Sequence, residues 1–431
     1  MTESPRWSAM GVACAGAFVT ALSTSLVAVA APTMARELHV SQADVGWVLS
    51  AYLLVISGLL AGAGRLADVV GRRRVYLTGF TIFAVGSFAC GVAPTLPLLV
   101  GARVVQGLGS AAVMATAPAI ITRSFPARLR ARGLGLALAA TYSGLTFGPT
   151  LGGILTKAVG WHAVFYVVGF GALVVIVIAW VLLPADEESG TSAGMDVLGT
   201  ALFAIALGAL LVALRRGPFA LPLLGVSALA AILFVRHGAR HPAPVLPLGL
   251  LKTPAFGLGV VNAMLLYVVA FVLSWLLPFH LQHARGIDPR HAGLLMTAQP
   301  ATMALTAPLS GVIADRFGAR APAVAGMLAI AAGMILVGRA ADGSDASIVT
   351  ALVVVGLGAG LFVAPNNATI MAAAPRERQG TAAAMAATAR NVGMTTGVAL
   401  AVFLSELTTF GRSLAVAGAI ALAGAALAAV K

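Results

Sequence analysis

Long runs without any charged residue constrain this chain most. Thirteen stretches of 18 residues or more contain no Asp, Glu, Lys or Arg, and a fourteenth, 379–405, is interrupted only by Arg390. The thirteen are 7–35, 45–64, 75–102, 104–122, 133–156, 158–185, 197–214, 217–235, 253–284, 291–314, 321–338, 346–375 and 413–430. A helix of about 20 apolar residues crosses the hydrocarbon of a bilayer. The pattern therefore predicts fourteen membrane-spanning helices.

The composition excludes the soluble alternatives. Charged residues make up 10% of the chain, whereas a soluble domain has roughly a quarter. Open strands cannot span lipid, because their unpaired backbone groups would be too costly there. A membrane barrel would show short alternating segments, and these runs are long and continuous. We therefore expect an all-α integral membrane protein. The first run is also too long for the apolar core of a cleaved signal peptide.

The positions of Lys and Arg predict the orientation. With the N-terminus in the cytoplasm and fourteen spans, the inside segments hold 17 of the 27 Lys and Arg residues and the outside segments hold 8. Arg103 and Arg390 remain within the membrane. Because cytoplasmic loops carry the excess of positive charge, we expect both termini to be cytoplasmic. No soluble basic region exists that could bind nucleic acid, so the net charge of +13 suits anionic lipid.

A loop motif occurs twice. GRLADVVGRRR at 64–74 and GVIADRFGARA at 311–321 share spaced glycine, aspartate and arginine residues. The offset is 311 − 64 = 247 residues, an interval that crosses eight predicted spans rather than six. The sequence therefore predicts a six-helix bundle at 1–184, a linker with two extra spans at 185–252, and a second six-helix bundle at 253–431. The polar stretch ADEESGTSAG at 185–194 fits the first junction.

Several motifs together resemble one transporter family. The loop at 64–74 is similar to the signature between helices 2 and 3 of the major facilitator superfamily, and the loop at 311–321 resembles its weaker second copy. ARVVQGLGSAA at 102–112 resembles the helix 4 signature. GLTFGPTLGG at 144–153 resembles the helix 5 antiporter signature, and 360–393 resembles the last helices of the fourteen-helix drug:proton antiporter branch. The resemblance implies two six-helix bundles plus two central helices in the cytoplasmic membrane of a bacterium.

The repeated loop is predicted to latch one conformational state, as it does in similar transporters. Glycines permit a tight turn, and Asp68 can pair with a nearby arginine or sit at a helix N-terminus. The alternative is a plain positively charged anchor, which needs neither the aspartate nor the repeat. The predicted latch residues are Gly64, Asp68, Gly71, Arg72, Arg73, Asp315, Arg316 and Gly318.

Helix 5 is predicted to combine close packing with a bend. Gly144, Gly148 and Gly152 recur every fourth residue and share one face, where small residues let helices approach closely. Pro149 removes a backbone donor, and Gly153 completes the motif. A gating helix needs these properties, and the resemblance implies export. A static packing seam is the alternative.

The two arginines within spans stand out because a charged side chain in the membrane is costly and usually functional. Arg103 and Arg390 are predicted to act in proton coupling or to hold an anionic group, with a structural hydrogen-bond hub as the alternative. No acidic residue lies deep in any span. Ser23 stands about where the antiporter branch usually has an aspartate. Glu37, Asp44, His162 or His280 could carry the proton instead, or the substrate is neutral or anionic.

Further polar residues within spans could line a central cavity, although half of them could only bridge helices. They are Gln106, Tyr142, Asn262, Tyr267, Gln299, Asn366, Asn367 and Asn391. Met, Phe, Leu and Ala around them suit amphipathic organic molecules.

The absence of enzyme motifs points to transport driven by an ion gradient. The chain has no GxxxxGK[ST] phosphate loop, no HExxH and no CxxC. We expect no enzyme, no metal and no cofactor other than a proton gradient. The expected partners are protons, a small-molecule substrate and the lipid bilayer, with the protein a monomer. The predicted function is proton-coupled export of drugs or small hydrophobic compounds. A specific exporter or importer of one neutral or anionic metabolite or antibiotic is the alternative.

Overall fold

The structure is a computed structural model that describes residues 7–125, 127–185, 196–214, 219–242, 244–375 and 378–430. Nearly all of the predicted linker at 185–194 lies outside the described residues. The same holds for five of the Lys and Arg residues counted to predict the orientation: Arg6, Arg215, Arg216, Arg376 and Lys431.

Fourteen α-helices account for nearly all of the described chain, which contains no strand. They are α1 Trp7–Glu37, α2 Gln42–Val70, α3 Arg72–Gly91, α4 Leu96–Ser124, α5 Ala127–Ala158, α6 His162–Leu182, α7 Val197–Ala213, α8 Ala220–Arg240, α9 Pro254–Phe279, α10 Pro289–Phe317, α11 Arg320–Ala340, α12 Asp345–Ala373, α13 Gln379–Leu407 and α14 Phe410–Val430. A 3₁₀ turn, Leu248–Lys252, precedes α9, and a π-helical turn, His280–Ala284, follows it. The predicted all-α class and the fourteen helices are confirmed.

Ten of these helices are long and apolar enough to cross a membrane, counting only described residues. Helix α7 is apolar but has 17 residues. Helices α5, α10 and α13 have 29 residues or more but a more polar composition. Polar residues of α5 and α10 meet between the two halves of the molecule, as the hydroxyls of Thr150 and Thr297 do.

Two six-helix halves share one packing pattern. In the first half α1 packs on α5 and α3 on α4, and in the second α9 packs on α13 and α11 on α12. The halves meet mainly where α5 contacts α10 and where α2 contacts α13. The α7–α8 hairpin packs on α2. The sequence repeat thus corresponds to a repeat of structure, with the hairpin as an addition to it.

Alternation of the helices defines two ends of the bundle. The basic end is the one where α1 begins and where both copies of the repeated loop lie. The opposite end is the one where α1 ends at Glu37 and α10 begins at Pro289. Gly71 links α2 to α3 at the basic end with φ 111°, a conformation that side chains disfavour.

Candidate functional site

A cavity of about 90 Å³ lies between the two halves. Helices α1 and α5 of the first half and α9, α10 and α12 of the second supply its walls. Its polar lining comes from Thr24, Ser25, Tyr142, Tyr267, Ser274 and Gln299. The rest is apolar: Ala28, Leu145, Pro149, Ala270, Phe271, Leu273, Leu277, Met296, Pro300, Met303 and Leu352. No charged side chain is among these lining residues, so the cavity offers hydrogen bonds without a fixed charge.

Two tyrosines connect the halves at the margin of the cavity that faces the basic end. The hydroxyl oxygens of Tyr142 on α5 and Tyr267 on α9 lie 3.3 Å apart. The guanidinium carbon of Arg390 lies 6.0 Å from the centre of the Tyr267 ring, within the range of a cation–π contact. Arg390 therefore lies beside Tyr267 and is not among the residues that line the cavity.

At the opposite end, the backbones of α5 and α10 approach each other closely. A Cβ atom added to Gly153 would collide with the Pro289 carbonyl, and one added to Gly293 would collide with the Pro149 carbonyl. Such contacts need glycine because any side chain would separate the helices. The hydroxyls of Thr150 and Thr297 lie 2.6 Å apart beside them. In this conformation α5 of the first half and α10 of the second are therefore in direct contact at the opposite end.

The other glycines of the helix 5 motif face α1 within the same half. Added Cβ atoms at Gly144, Gly148 and Gly152 would meet the Phe18 carbonyl, Ser25 and Leu26 of α1, respectively. The Ser25 hydroxyl donates to the Leu145 carbonyl across this seam (3.0 Å). Helix α5 thus has one small-residue face toward α1 and another toward α10.

Arg103 lies inside the first half, with none of its surface exposed. Its Nε donates to the Val48 carbonyl (2.7 Å) and its Nη1 to the Ser23 hydroxyl (3.3 Å). Nη1 also donates to the Gln106 side-chain oxygen. The guanidinium carbon lies 4.0 Å from the centre of the Tyr52 ring. Ser23, Arg103 and Gln106, three predicted site residues, are therefore one network.

This network contains no carboxylate. The Gln106 amide donates to the Ser87 hydroxyl (2.7 Å), so the network ends on α3. Arg103 Nη2 is buried without a hydrogen-bond partner among the described residues. A buried charge that relies on neutral acceptors is expensive. The predicted coupling role of these residues stays a prediction, and none of the three is among the residues that line the cavity.

The first copy of the repeated loop is held to two neighbouring helices, α4 and α6. Asp68 accepts from Arg72 (3.0 Å), and Arg72 also donates to the Ala119 carbonyl of α4 (3.3 Å). Arg73 donates to the Trp180 carbonyl of α6 (2.6 Å). Gly64 approaches Ala115 of α4. These contacts fix the ends of α2 and α3 against α4 and α6.

The second copy differs. Asp315 and Arg316 are exposed at the end of α10, and no ion pair involving either occurs within the described part of the chain. Gly318 has φ 79° and open space around it. The two loops share their sequence pattern and glycine turn, but only the first is anchored in this conformation.

The remaining predicted cavity residues lie outside the lining. Asn262 donates to the Gly424 carbonyl of α14 (3.0 Å) when its amide is oriented to satisfy its contacts. Asn366 donates to the Gly259 carbonyl of α9 (3.0 Å), and Asn391 donates to the Ala387 carbonyl of its own helix (3.0 Å). Asn367 is half-buried on α12. Of the predicted amides, only Gln299 borders the cavity.

Sequence reasoning missed Thr24, Ser25 and Ser274 as lining residues. Short hydroxyl side chains can satisfy themselves on the backbone of their own helix, so their presence in a span predicts little. The position of Thr24 and Ser25 directly after Ser23 could have indicated them, because residues next to a predicted site lie at a similar depth in the membrane.

Comparisons with a family model and with known proteins agree on one family. The model of the Major Facilitator Superfamily matches residues 13–274 and 255–431. The riboflavin transporter RibZ of Clostridioides difficile is 31% identical over 94% of this chain and 90% of its own length. The multidrug resistance protein Stp of Mycobacterium tuberculosis is 33% identical over 89% and 73%. The tetracenomycin C resistance and export protein of Streptomyces glaucescens is 31% identical over 91% and 75%.

Solved structures share the fold at low sequence identity. A D-xylose–proton symporter superimposes with a TM-score of 0.73 at 16% identity, covering 99% of this chain and 97% of its own. A POT family transporter in complex with 5-aminolevulinic acid gives 0.76 at 15% identity, covering 100% and 96%. At this sequence identity, the similarity to these structures shows a common fold only. The chemistry of the cavity is read from the residues of this chain.

Proposed function

Because this chain belongs to the major facilitator superfamily and is a membrane transporter rather than an enzyme, we propose that it exports small amphipathic organic compounds in exchange for protons. The proposed location is the cytoplasmic membrane of a bacterium, with both termini in the cytoplasm and the basic end facing inward. The protein acts as a monomer, since each chain encloses its own cavity.

The observation that carries this proposal is the cavity between the halves. Its lining combines methionine, phenylalanine and leucine side chains with Tyr142, Tyr267 and Gln299. Flexible apolar side chains adapt to different shapes, and a few hydrogen-bonding groups orient a ligand. Because no carboxylate is among the described residues that line the cavity, the favoured substrates are neutral compounds rather than permanent cations.

Closure at the opposite end supports alternating access. The α5–α10 contact at Gly153 and Gly293 holds the two halves together at that end in this conformation. Export requires the two halves to rock so that this contact opens while the basic end closes. Rocking of two bundles around a central site is the way repeat-built transporters work.

Proton coupling rests on the absence of an ATP-binding motif and on the resemblance of helix 5 to antiporters. The buried Arg103 network lies directly behind the cavity helix α1 and could transmit a change of protonation to it. Candidate proton carriers are carboxylates and imidazoles near the membrane surface. Examples are Asp44, hydrogen-bonded to Ser41 (2.7 Å), and His280, paired with Asp342 (3.1 Å).

A second candidate function has its own support. The relative RibZ is named a riboflavin transporter, and its similarity extends over nearly the whole chain. A specific transporter of one neutral or anionic metabolite, working as exporter or importer, would use the same uncharged cavity. Breadth of substrate choice separates the two functions.

Cell accumulation assays test the proposal. The chain is expressed in a host that lacks its major efflux pumps, and retention of matched neutral, cationic and anionic dyes is measured with and without a protonophore. We expect lower retention of several neutral dyes, abolished by the protonophore and by Gly148→Leu. Unchanged retention of every dye would refute export, and lower retention of only one would favour the specific transporter.

A further inference from the structure

An aspartate and two histidines meet at the basic end of the α7–α8 hairpin. Asp196 immediately precedes α7, His237 lies in the last turn of α8, and His241 caps that helix. The Asp196 Oδ1 and His237 Nε2 atoms lie 2.7 Å apart. One potential ligand atom from each of the three residues lies within 4.8 Å of the others. The residues are 41 and 45 positions apart in sequence, so the hairpin fold creates the cluster.

The aspartate is held in a fixed orientation. Its side chain is 3% exposed. The Gly199 amide donates to Oδ1 (2.8 Å) and the Val245 amide donates to Oδ2 (2.9 Å). These two amide donors fix the position of both carboxylate oxygens, as outer hydrogen bonds orient metal-binding carboxylates.

The histidine pair has the spacing of a helical metal site. Residues four apart lie on one face of a helix, and two histidines at this spacing can bind one zinc ion. The ring centres of His237 and His241 are 5.1 Å apart. Both residues are partly exposed, so an ion in solution can reach them. Arg236 and Arg240 are exposed on the same helix, where water screens their charge.

The distances suit a metal after a small adjustment. Tetrahedral zinc with bonds of about 2.0–2.2 Å places its ligand atoms about 3.4 Å apart. The Asp196–His237 pair would open by less than an ångström as an ion replaces the shared proton. Since the three ligand atoms lie within 4.8 Å of one another, the His241 nitrogen would move closer by at most about 1.4 Å, which rotation of an imidazole at a helix end allows.

We propose that Asp196, His237 and His241 bind a divalent transition-metal ion, with Zn²⁺ the best match. Two imidazole nitrogens and one carboxylate oxygen form a ligand set typical of zinc, with water in the fourth position. The ion joins the start of α7 to the end of α8. Through the Val245 amide, it also joins both to the segment that leads into α9. The site thus ties the added hairpin to the beginning of the second half.

This proposal is independent of the transport function, because binding is measured directly. Tag-free full-length protein in detergent is stripped with a chelator and titrated with Co²⁺ for ligand-field absorption. Zn²⁺ affinity is then measured by competition with a chromogenic chelator. We expect one equivalent of metal per chain, and a higher midpoint of thermal unfolding with Zn²⁺ bound.

The variants separate a metal site from a plain hydrogen bond. His241→Gln retains the Asp196–His237 bond but removes a ligand, so it should weaken Zn²⁺ binding at least tenfold and leave helix content unchanged. Asp196→Asn should weaken binding similarly. His280→Gln is the matched control, because His280 also pairs with an aspartate, Asp342 (3.1 Å), and should leave binding unchanged. Absence of binding, or wild-type affinity in His241→Gln, would overturn the proposal.

Discussion

The Tyr142 and Tyr267 hydroxyls lie 3.3 Å apart and join α5 of one half to α9 of the other at the margin of the cavity. A single hydrogen bond between mobile halves stabilises one state modestly, by about 1 kcal/mol. It can therefore break in each transport cycle at little cost. The same two hydroxyls are available to a substrate once the pair separates.

Removal of either hydroxyl should weaken substrate binding by a similar amount. For Tyr142→Phe and Tyr267→Phe we expect about a three- to tenfold weaker apparent affinity, the equivalent of one lost hydrogen bond. The double variant should be little worse than either single variant, because the two groups act as a pair. Transport at increasing substrate concentration measures this. Fully additive losses would show that the tyrosines act separately.

Alanine at the α5–α10 contact should prevent closure of the opposite end. Gly153→Ala and Gly293→Ala each place a methyl group against a backbone carbonyl of the other half. We expect transport to fall at least tenfold, and cysteines introduced at that end to become more reactive to a membrane-impermeant thiol reagent.

Gly135→Ala is the control for this experiment. Gly135 lies on the same helix with open space where its Cβ would be. The variant should behave as wild type in both measurements. Equal reactivity of wild type and Gly153→Ala would contradict closure by this contact.

Substitution of Arg103 should affect stability as well as transport. Arg103→Ala removes the donors for the Val48 carbonyl and Gln106 and leaves a cavity, which costs about 2–4 kcal/mol. Arg103→Lys retains the charge but loses the planar contact with Tyr52 and the Nε bond. Thermal unfolding in detergent should show a lower midpoint for both. The exposed Arg320 supplies a control, Arg320→Lys, whose midpoint should not change.

Asp68→Asn should impair transport more than stability. The Asp68–Arg72 pair is partly exposed, 40% and 31% of the side chains, so its loss should cost under about 1 kcal/mol. The predicted latch role requires a loss of transport of at least tenfold. Asp315→Asn, at the exposed second copy, should have a smaller effect on transport. A wild-type rate in Asp68→Asn would leave the loop as an anchor only.

The sequence predicted the architecture because the length of an uncharged run and the position of charged residues are local properties of the chain. Uncharged runs predicted every helix, and the spacing of Asp68 and Asp315 predicted the two-half repeat. Both signals are read without knowing which residues touch. The same reasoning identified Tyr142 and Gln299 as cavity residues, since polar groups within spans usually face protein or water rather than lipid.

Helix-face orientation limited the site prediction. Asn262 and Tyr267 lie on the same helix α9, yet one contacts α14 and the other the cavity. Five residues correspond to about 500° of helical rotation, and the sequence does not say which direction faces the other half. The Asp196–His237 contact could not be predicted from the sequence either. It depends on how α7 and α8 pack, which brings the start of α7 next to the end of α8.

Transport by the purified protein in liposomes, under an imposed proton gradient, tests the central claim most directly. Matched cationic, neutral and anionic compounds are compared, and proton flux is followed with a pH-sensitive dye in the lumen. The account predicts movement of neutral amphipathic compounds coupled to opposite proton movement, with little movement of permanent cations. Cation movement at equal or higher rates, or substrate movement without proton flux, would contradict it.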